Sequence, residues 1–205
     1  MVELSRINKK FNGRDILKDF DLQIGTGEFV SIMGSSGAGK TTILNIIGLL
    51  LKPDGGDVMI KNIVNPNSKE TMNLRRGSFG YIFQNYVLMD NETVEENLKL
   101  SKKHNPDYTP DLVNEILELV QLDSSFLKKK VFQLSGGEQQ RIAIARAMLK
   151  RCDIILADEP TGNLDKKNKA IIVDLFKQLK RMGKTIVCVT HDPDVAQSSD
   201  RIVEI

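Results

Sequence analysis

The sequence predicts an α/β fold with a mainly parallel central sheet, an N-terminal antiparallel β subdomain and a helical insert subdomain. Short apolar runs such as Phe29–Met33 and Ile154–Ala157 are typical of strands buried on both faces, as in a parallel sheet. The first 24 residues instead alternate apolar and polar side chains, which is typical of antiparallel strands. From about residue 85 to residue 150 the pattern is helical throughout, which indicates an insert.

The N-terminal region is expected to pair strands Val2–Ile7 and Ile16–Ile24 across an Asn-Gly turn. A helix follows the strand Phe29–Met33 and should end before Pro53, and a short strand is expected near residues 58–60. Residues 62–76 are polar and lack periodicity, so the sequence predicts mostly loop there, with no more than one turn of helix.

The remaining elements alternate between strands and helices. A strand over residues 79–83 ends at Gln84, and Thr109 with Pro110 opens a helix in the insert. A helix beginning at Asp165 lies between the strand 154–157 and a strand over 185–190, and a last strand is expected at 202–205. The apolar faces of the two helices are predicted to be Leu112, Ile116, Leu119 and Val120, and Ile171, Leu175, Leu179 and Met182.

The composition is that of an ordinary globular domain and argues against several classes of protein. The 205 residues are 40% hydrophobic, and 29 basic against 27 acidic residues give a net charge of +2. That balance gives no reason to invoke nucleic acid or an acidic membrane surface. The most apolar run, Ile43–Leu51, is about half the length of a membrane span, and no signal peptide is visible. Cys152 and Cys188 have no metal or disulfide spacing and are expected to be reduced core residues of a cytosolic protein.

A glycine-rich stretch joins the strand Phe29–Met33 to the following helix. Such a loop lets successive backbone N–H groups point at one anion, and the helix adds its first-turn N–H groups and its dipole. This is the context of a phosphate-binding P-loop, in which Lys40 reaches the phosphates and Thr41 is one ligand of Mg²⁺. The alternative is a plain turn between two core elements. The stretch reads Gly34, Ser35, Ser36, Gly37, Ala38, Gly39, Lys40, Thr41, Thr42.

Two carboxylates, Asp158 and Glu159, follow the apolar run Ile154–Ala157. Next to bound Mg²⁺, Asp158 would hold the ion and Glu159 would orient or deprotonate a water molecule. The alternative is a solvated strand end. Gln84 and His191 also follow predicted strands. Gln84 would reach Mg²⁺ or the attacking water, and the alternative is a surface amide at a strand end. His191 would bind the terminal phosphate, and the alternative is a structural histidine.

Two further features remain open on physical grounds. Ser135 and Glu138 form a capping box for the helix that follows, but a cap does not need Gly136 and Gly137. Those glycines also permit close approach of another backbone or of a phosphate, and a helix N-terminus is an anion site. Phe11 either stacks on an adenine ring or is a core residue; without a homologue, core is favoured.

Together these residues resemble the ATP-binding-cassette (ABC) ATPases over essentially the whole chain. The resemblance implies the fold of a P-loop NTPase. The segment Leu134–Arg141 is similar to the ABC signature, and it precedes Asp158-Glu159-Pro160, with His191 beyond. The segments Asp158–Asp165 and Asn45–Gly48 resemble cassettes of the lipoprotein-release and macrolide- or bacteriocin-export type.

The resemblance implies ATP hydrolysis with Mg²⁺, coupled to transport through a separate membrane permease. In such proteins two cassettes pair head to tail, so Ser135 and Gly137 of one copy would contact the γ-phosphate held by residues 34–41 of the other. Asp165 would lie at the same interface, and Gln84 with the helical insert would dock on the permease. Phe11 occupies the position of the adenine-stacking aromatic, where the family usually has Tyr.

One ABC ATPase domain over residues 1–205 is therefore expected, with residues 1–84 and 151–205 as the ATP-binding core and 85–150 as a helical subdomain. The predicted location is cytoplasmic, on the inner face of the cell membrane through the permease. The expected partners are a second cassette and that permease, with no nucleic acid and no membrane span of its own. A soluble ABC ATPase acting on DNA or ribosomes, and a regulator that binds ATP and barely hydrolyses it, are the rivals.

Overall fold

The computed structural model describes all 205 residues and contains nine strands and seven α-helices. Residues 100–104, 124–128 and 131–133 form short 3-10 helices. The strands are β1 Val2–Phe11, β2 Arg14–Ile24, β3 Phe29–Met33, β4 Gly55–Ile60, β5 Ile63–Val64, β6 Phe79–Ile82, β7 Ile154–Asp158, β8 Thr185–Val189 and β9 Arg201–Glu204. The helices are α1 Lys40–Ile47, α2 Ser68–Gly77, α3 Val94–Lys99, α4 Pro110–Leu119, α5 Gly136–Leu149, α6 Lys166–Arg181 and α7 Pro193–Gln197.

An antiparallel sheet with the strand order β2-β1-β4-β5 occupies the N-terminal region, as predicted. The turn between β1 and β2 contains Asn12 with a φ of 50°, which the predicted Asn-Gly turn requires. Val2, Leu4 and Ile7 of β1 are buried, and the pairing with β2 shifts register between Leu4 and Ile7. One face of this sheet therefore packs against the rest of the protein.

A five-stranded sheet with the order β6-β7-β8-β3-β9 forms the centre, and every neighbouring pair in it is parallel. All five residues of β8 are buried, which explains the unbroken apolar sequence. In a parallel sheet all strands end at one edge, so the loops after β3, β6, β7 and β8 meet there.

The two faces of the central sheet pack against different elements. On one face Val30, Leu156 and Val187 pack in a cluster with α1 and the antiparallel sheet. On the other face Phe29 and Ile155 pack in a cluster that takes in residues of α3, α4, α5 and α6. Residues 85–150 contain helices and no strand, apart from one isolated bridge between Thr93 and Lys130.

The prediction of mostly loop over residues 62–76 is wrong, because helix α2 begins at Ser68. The Asn67 side chain accepts hydrogen bonds from the N–H groups of Lys69 and Glu70, and the Glu70 carboxylate accepts one from the Asn67 N–H. Only Leu74 is buried in this helix, so the sequence has no apolar period to reveal it. The Asn-x-x-Glu capping box was the available signal.

The apolar faces of α4 and α6 differ from the predicted ones. In α4 the buried side chains are Val113, Ile116 and Leu117, followed by Val120, while Leu112 and Leu119 are only partly buried. In α6 Leu175 and Leu179 are buried as predicted, but Met182 ends the helix 55% exposed and Ile171 is partly buried. Phe176 takes the central position instead, where its ring meets that of Phe29 edge-on at 5.9 Å.

The two cysteines are free and buried, as expected. Burial raises the pKa of Cys152 to about 11 and that of Cys188 well above its ordinary value. Neither thiol is therefore ionised at neutral pH, and both behave as small core hydrophobes.

Candidate functional site

The loops that follow four neighbouring strands enclose one cleft of about 630 Å³ at the carboxyl edge of the central sheet. The glycine loop follows β3, Gln84 follows β6, Glu159 follows β7 and His191 follows β8. Ile16, which no sequence motif marks, completes the wall. The lining consists of Phe11, Ile16, Gly34, Ser36, Gly37, Gly39, Lys40, Thr41, Thr42, Gln84, Glu159 and His191.

The glycine loop has the backbone that an anion cradle needs. Gly37 and Gly39 adopt φ angles of 81° and 101°, which a side-chain-bearing residue rarely adopts. Gly39 precedes α1 and offers no capping side chain, and the first turn of α1 contains no acidic residue. The first N–H groups of α1 and its positive dipole end are therefore open to an external anion.

Lys40 is held across this loop. Its Nζ donates to the carbonyl oxygens of Gly34 and Ser35, each at 2.8 Å. These partners are neutral, so the ammonium charge is not cancelled by a carboxylate. An ammonium has three donors, and two are used here.

Thr41 and Asp158 meet below the loop, where Thr41 Oγ1 donates to Asp158 Oδ1 at 3.1 Å. Burial raises the pKa of Asp158; the Thr41 hydroxyl and Lys40 oppose the shift, and the charge of Glu159 adds to it. A hydroxyl, a carboxylate and the amide of Gln84 are oxygen ligands of the kind that Mg²⁺ takes. No three acidic, histidine or cysteine side chains are grouped so that they could hold a metal ion by themselves.

Glu159 and His191 form a close pair in the same cleft. His191 Nδ1 lies 2.8 Å from Glu159 Oε2, and the His191 backbone N–H donates to the same oxygen at 3.3 Å. Glu159 has a φ of 45°, an uncommon conformation that points to a constrained position. The Glu159 side chain is 15% exposed and that of His191 is 67% exposed, so the pair joins a shielded carboxylate to an open imidazole.

Phe11 forms part of the wall of the cleft, and the core alternative for this residue is wrong. Its side chain is 45% exposed. The Nζ of Lys9 lies 5.5 Å from the centre of its ring. An exposed ring beside a phosphate cradle is available for stacking on a flat ligand.

The segment Ser135-Gly136-Gly137, called the signature turn below, lies outside this cleft. Ser135 caps α5: its N–H and Oγ donate to Glu138 Oε2 at 2.7 and 2.8 Å, and its Oγ accepts from the Glu138 N–H at 3.4 Å. The capping-box interpretation is therefore confirmed. Asp165 caps α6 and is exposed, with its carboxylate accepting from the Asn168 N–H at 2.7 Å. Within one copy, the signature turn and Asp165 form a group apart from the cleft.

A larger cleft of about 710 Å³ lies between the end of α1, β4 and α2. None of the candidate catalytic, nucleotide-binding or metal-binding residues lines it. It also lies away from the carboxyl ends of the parallel strands, where α/β proteins bind ligands. The smaller cleft with the converging reactive groups is therefore the functional candidate.

Comparison with known proteins decides the family. A family model described as ABC transporter matches residues 17–162. The chain belongs to the ABC transporter family. The expected fold, that of a P-loop NTPase cassette, is confirmed by the match to solved cassette structures. No helix of this cassette is both long and apolar enough to cross a membrane.

Relatives of this cassette include the macrolide export ATP-binding/permease protein MacB of Campylobacter jejuni, 39% identical over 214 residues. The match covers 100% of the cassette and 33% of MacB, so the chain spans about a third of that relative. The uncharacterized ABC transporter ATP-binding protein MJ0796 of Methanocaldococcus jannaschii is 43% identical over 216 residues, covering 99% of the cassette and 92% of the relative. These relatives confirm the expected resemblance to the macrolide-export type.

A solved structure of MJ0796, described as a dimeric post-hydrolysis state bound to ADP and Pi, superposes with a TM-score of 0.89. It is 42% identical in sequence, and the match covers 100% of the cassette and 94% of that chain.

Proposed function

We propose that this cassette binds ATP with Mg²⁺, hydrolyses it to ADP and phosphate, and powers export or extraction of a substrate by a separate membrane permease. One observation carries the proposal. Lys40, Thr41, Gln84, Glu159 and His191 come from loops after four different strands and converge on a single cleft. That convergence, in a member of the ABC transporter family, is what ATP hydrolysis requires.

The cradle residues Gly34 to Thr42 bind the phosphates of ATP. Backbone N–H groups and the end of α1 surround them, and Lys40 exchanges its contacts with the Gly34 and Ser35 carbonyls for phosphate oxygens. Thr41, Asp158 and Gln84 hold Mg²⁺. When bound, the ion neutralises charge on the phosphate oxygens. Phe11 stacks on the adenine ring.

Glu159 acts on the water that attacks the terminal phosphate. Its carboxylate orients this water and accepts its proton, and His191 holds Glu159 in place and donates to the γ-phosphate. The fixed dipoles of the loop and of α1 stabilise charge that develops on the leaving phosphate, which is usually a large part of catalysis.

Two copies of the cassette pair head to tail in this proposal. Ser135 is exposed at the start of α5, where a phosphate from another copy can reach it. The Ser135 N–H and hydroxyl would then exchange their contacts with the Glu138 carboxylate for phosphate oxygens. Ser135, Gly136 and Gly137 then complete the partner's site, and Asp165 lies at the same interface. The dimeric description of the related MJ0796 structure supports this arrangement.

The permease docks beside Gln84, where a groove of about 280 Å³ separates β6 from the helical segment. Its lining includes Leu100, which is 48% exposed, together with His104 and Lys150. Burial and the charges of Lys150, Arg76 and Lys103 lower the pKa of His104. Such a groove fits a short permease helix with an apolar face and acidic ends.

Residues 85–150 act as a helical subdomain on the core of residues 1–84 and 151–205. In this proposal the cassette works in the cytoplasm, on the inner face of the cell membrane, where it is bound to the permease. In a test, Leu100→Glu should abolish co-purification with the permease and leave the ATPase rate of the isolated cassette unchanged. Unaltered co-purification would remove the groove from the proposal.

The rate of phosphate release at increasing cassette concentration tests shared sites directly. If each site needs the signature turn of a second copy, the rate rises faster than in proportion to protein concentration at low concentration. Light scattering with ATP should show dimers over the same range. Strict proportionality from a monomer contradicts the shared site, and absence of phosphate release at any concentration favours a binding-only regulator.

A further inference from the structure

Gly137 is buried in this structure and does not face solvent. A Cβ atom built on Gly137 would lie 2.3 Å from Cγ and Oδ1 of Asn168 and 2.7 Å from its Nδ2. No side chain fits there unless Asn168 moves. The second glycine of the signature turn therefore makes room for a side chain of its own copy, whatever its N–H group binds in a partner.

Asn168 connects three elements through one amide. Its Nδ2 donates to Asp165 Oδ1 at 3.0 Å, and its Oδ1 accepts from Arg141 Nη1 at 2.7 Å. Its backbone N–H also donates to Asp165 Oδ1, at 2.7 Å. The amide thus joins the loop that ends at Asp165 to helix α5, directly beside the signature turn.

Arg141 depends on this contact. It is only 8% exposed, Asn168 Oδ1 is the acceptor of its side-chain hydrogen bond, and its Nε has no partner. Without Asn168 the buried guanidinium would lose that acceptor, and a buried donor left unpaired costs more than the bond contributed. The contact is therefore expected to hold α5 and the first turn of α6 in one fixed arrangement.

We propose that Asn168 is a positioning residue for the shared ATP site: it fixes the signature turn relative to Asp165, so that both meet the partner copy in register. This inference rests on the proposed head-to-tail dimer. Asn168 does not line the cleft of its own copy. It acts through Gly137 and Arg141.

The first test uses Glu159→Gln as the parent, because that variant should accumulate the ATP-bound dimer. Asn168→Ala in this parent should raise the protein concentration at the dimer midpoint about tenfold, as expected for the loss of paired hydrogen bonds to a buried group. ATP affinity of the monomer should stay within about twofold of the parent, since Asn168 lies outside the cleft. An unchanged dimer midpoint would overturn the proposal.

The second test separates contact within one copy from contact across the dimer. Gly137→Ala should also weaken the dimer, because its methyl group collides with Asn168. Adding Asn168→Ala removes the side chain with which the methyl group collides. The double variant should therefore lose less dimer affinity than the two single losses multiplied together would predict. If the added change gives no such recovery, the loss in Gly137→Ala arises at the partner's phosphate and the positioning role is wrong.

If Asn168 had a purely structural role, each variant would lose thermal stability in proportion to its loss of dimer affinity. In the proposed role, the double variant recovers dimer affinity without a matching recovery of its thermal midpoint. Failure of the dimer itself is distinguishable: a parent that stays monomeric with saturating ATP removes the proposed function, whereas a dimeric parent with an equally dimeric Asn168→Ala removes only the role of Asn168.

Discussion

His191 Nδ1 lies 2.8 Å from Glu159 Oε2, so the imidazole at the end of β8 holds the carboxylate that follows β7. The backbone N–H of His191 reaches the same oxygen, which ties two neighbouring strand ends together. The pair is more than a surface contact, because the Glu159 side chain is largely shielded. A carboxylate fixed in this way is suited to orient a water molecule without rearranging.

Glu159→Gln is expected to retain ATP binding and to lose turnover by about a hundredfold or more, the usual scale for removal of a general base. The amide keeps the shape of the side chain but cannot accept the proton of water. Phosphate release and light scattering with ATP measure the two effects, and the variant should accumulate as a dimer. Glu92→Gln, at an exposed glutamate outside the cleft, is the control. Turnover at the native rate in Glu159→Gln would exclude Glu159 as the base.

Phe11→Ala should weaken ATP binding by about tenfold, since stacking of a base on an aromatic ring contributes roughly 1–3 kcal/mol. Phe11→Tyr keeps a ring and should bind ATP normally. Inorganic triphosphate has no base, so its affinity should not change in Phe11→Ala, and calorimetry with both ligands separates the contributions. Phe132→Ala removes a ring that is 59% exposed outside the cleft and serves as control. Equal loss of both ligands would contradict stacking.

Asp158→Asn should stabilise the nucleotide-free cassette at neutral pH by about 1 kcal/mol, while weakening Mg²⁺ binding and abolishing ATP hydrolysis. Burial raises the pKa of Asp158 above its ordinary value of 3.8. When a carboxyl group has a higher pKa in the folded protein than in the unfolded chain, it stabilises the fold at pH values below the unfolded pKa. That stabilisation is lost as the pH rises through the folded pKa.

The advantage of Asp158→Asn should accordingly grow with pH. Urea unfolding without nucleotide at about pH 4 and about pH 7 compares the two proteins. A difference that shrinks as pH rises would contradict a buried, destabilised carboxylate. Asp174→Asn, on the exposed side of α6, controls for simple loss of a negative charge.

The sequence could predict the cleft because each reactive group directly follows an apolar run. Asp158 follows Ile154–Ala157 and His191 follows the buried strand β8, so a parallel sheet brings them to one edge without any knowledge of long-range contacts. The glycine loop is local in sequence as well. These features were predictable because their geometry depends on strand direction alone.

What escaped prediction depends on contacts between distant residues. The amide of Asn168 meets Gly137 and Arg141 across 31 and 27 positions, and nothing in the local pattern of α6 marks it. For Phe11 the residue pattern alone favoured the core, because an isolated aromatic carries no directional signal; only the family resemblance suggested adenine stacking, and the structure shows the ring exposed. Helix α2 escaped for a different reason, since a polar helix with one buried residue has no amphipathic period.

Lys169 and Asp192 form a partly buried ion pair that anchors the loop after His191 to α6. The two charged groups lie 2.8 Å apart, and the Asp192 side chain is 5% exposed. Burial alone would raise the pKa of Asp192, but hydrogen bonds from Lys169, the Asp194 N–H and Thr161 lower it. A lowered folded pKa gives stability that is present above the ordinary value of 3.8 and is lost as pH falls through the folded pKa.

Lys169→Met should therefore lower the free energy of unfolding at neutral pH by about 1–2 kcal/mol, because Asp192 stays buried and loses its charged partner. The deficit relative to the native cassette should shrink in acid, where Asp192 is protonated and needs no cation. Urea unfolding at about pH 7 and about pH 3 measures both values. Lys177→Met changes an exposed lysine of the same helix and should be near neutral at either pH. A deficit that stays constant with pH would show that Lys169 contributes packing alone, since only the ionised carboxylate can sense its charge.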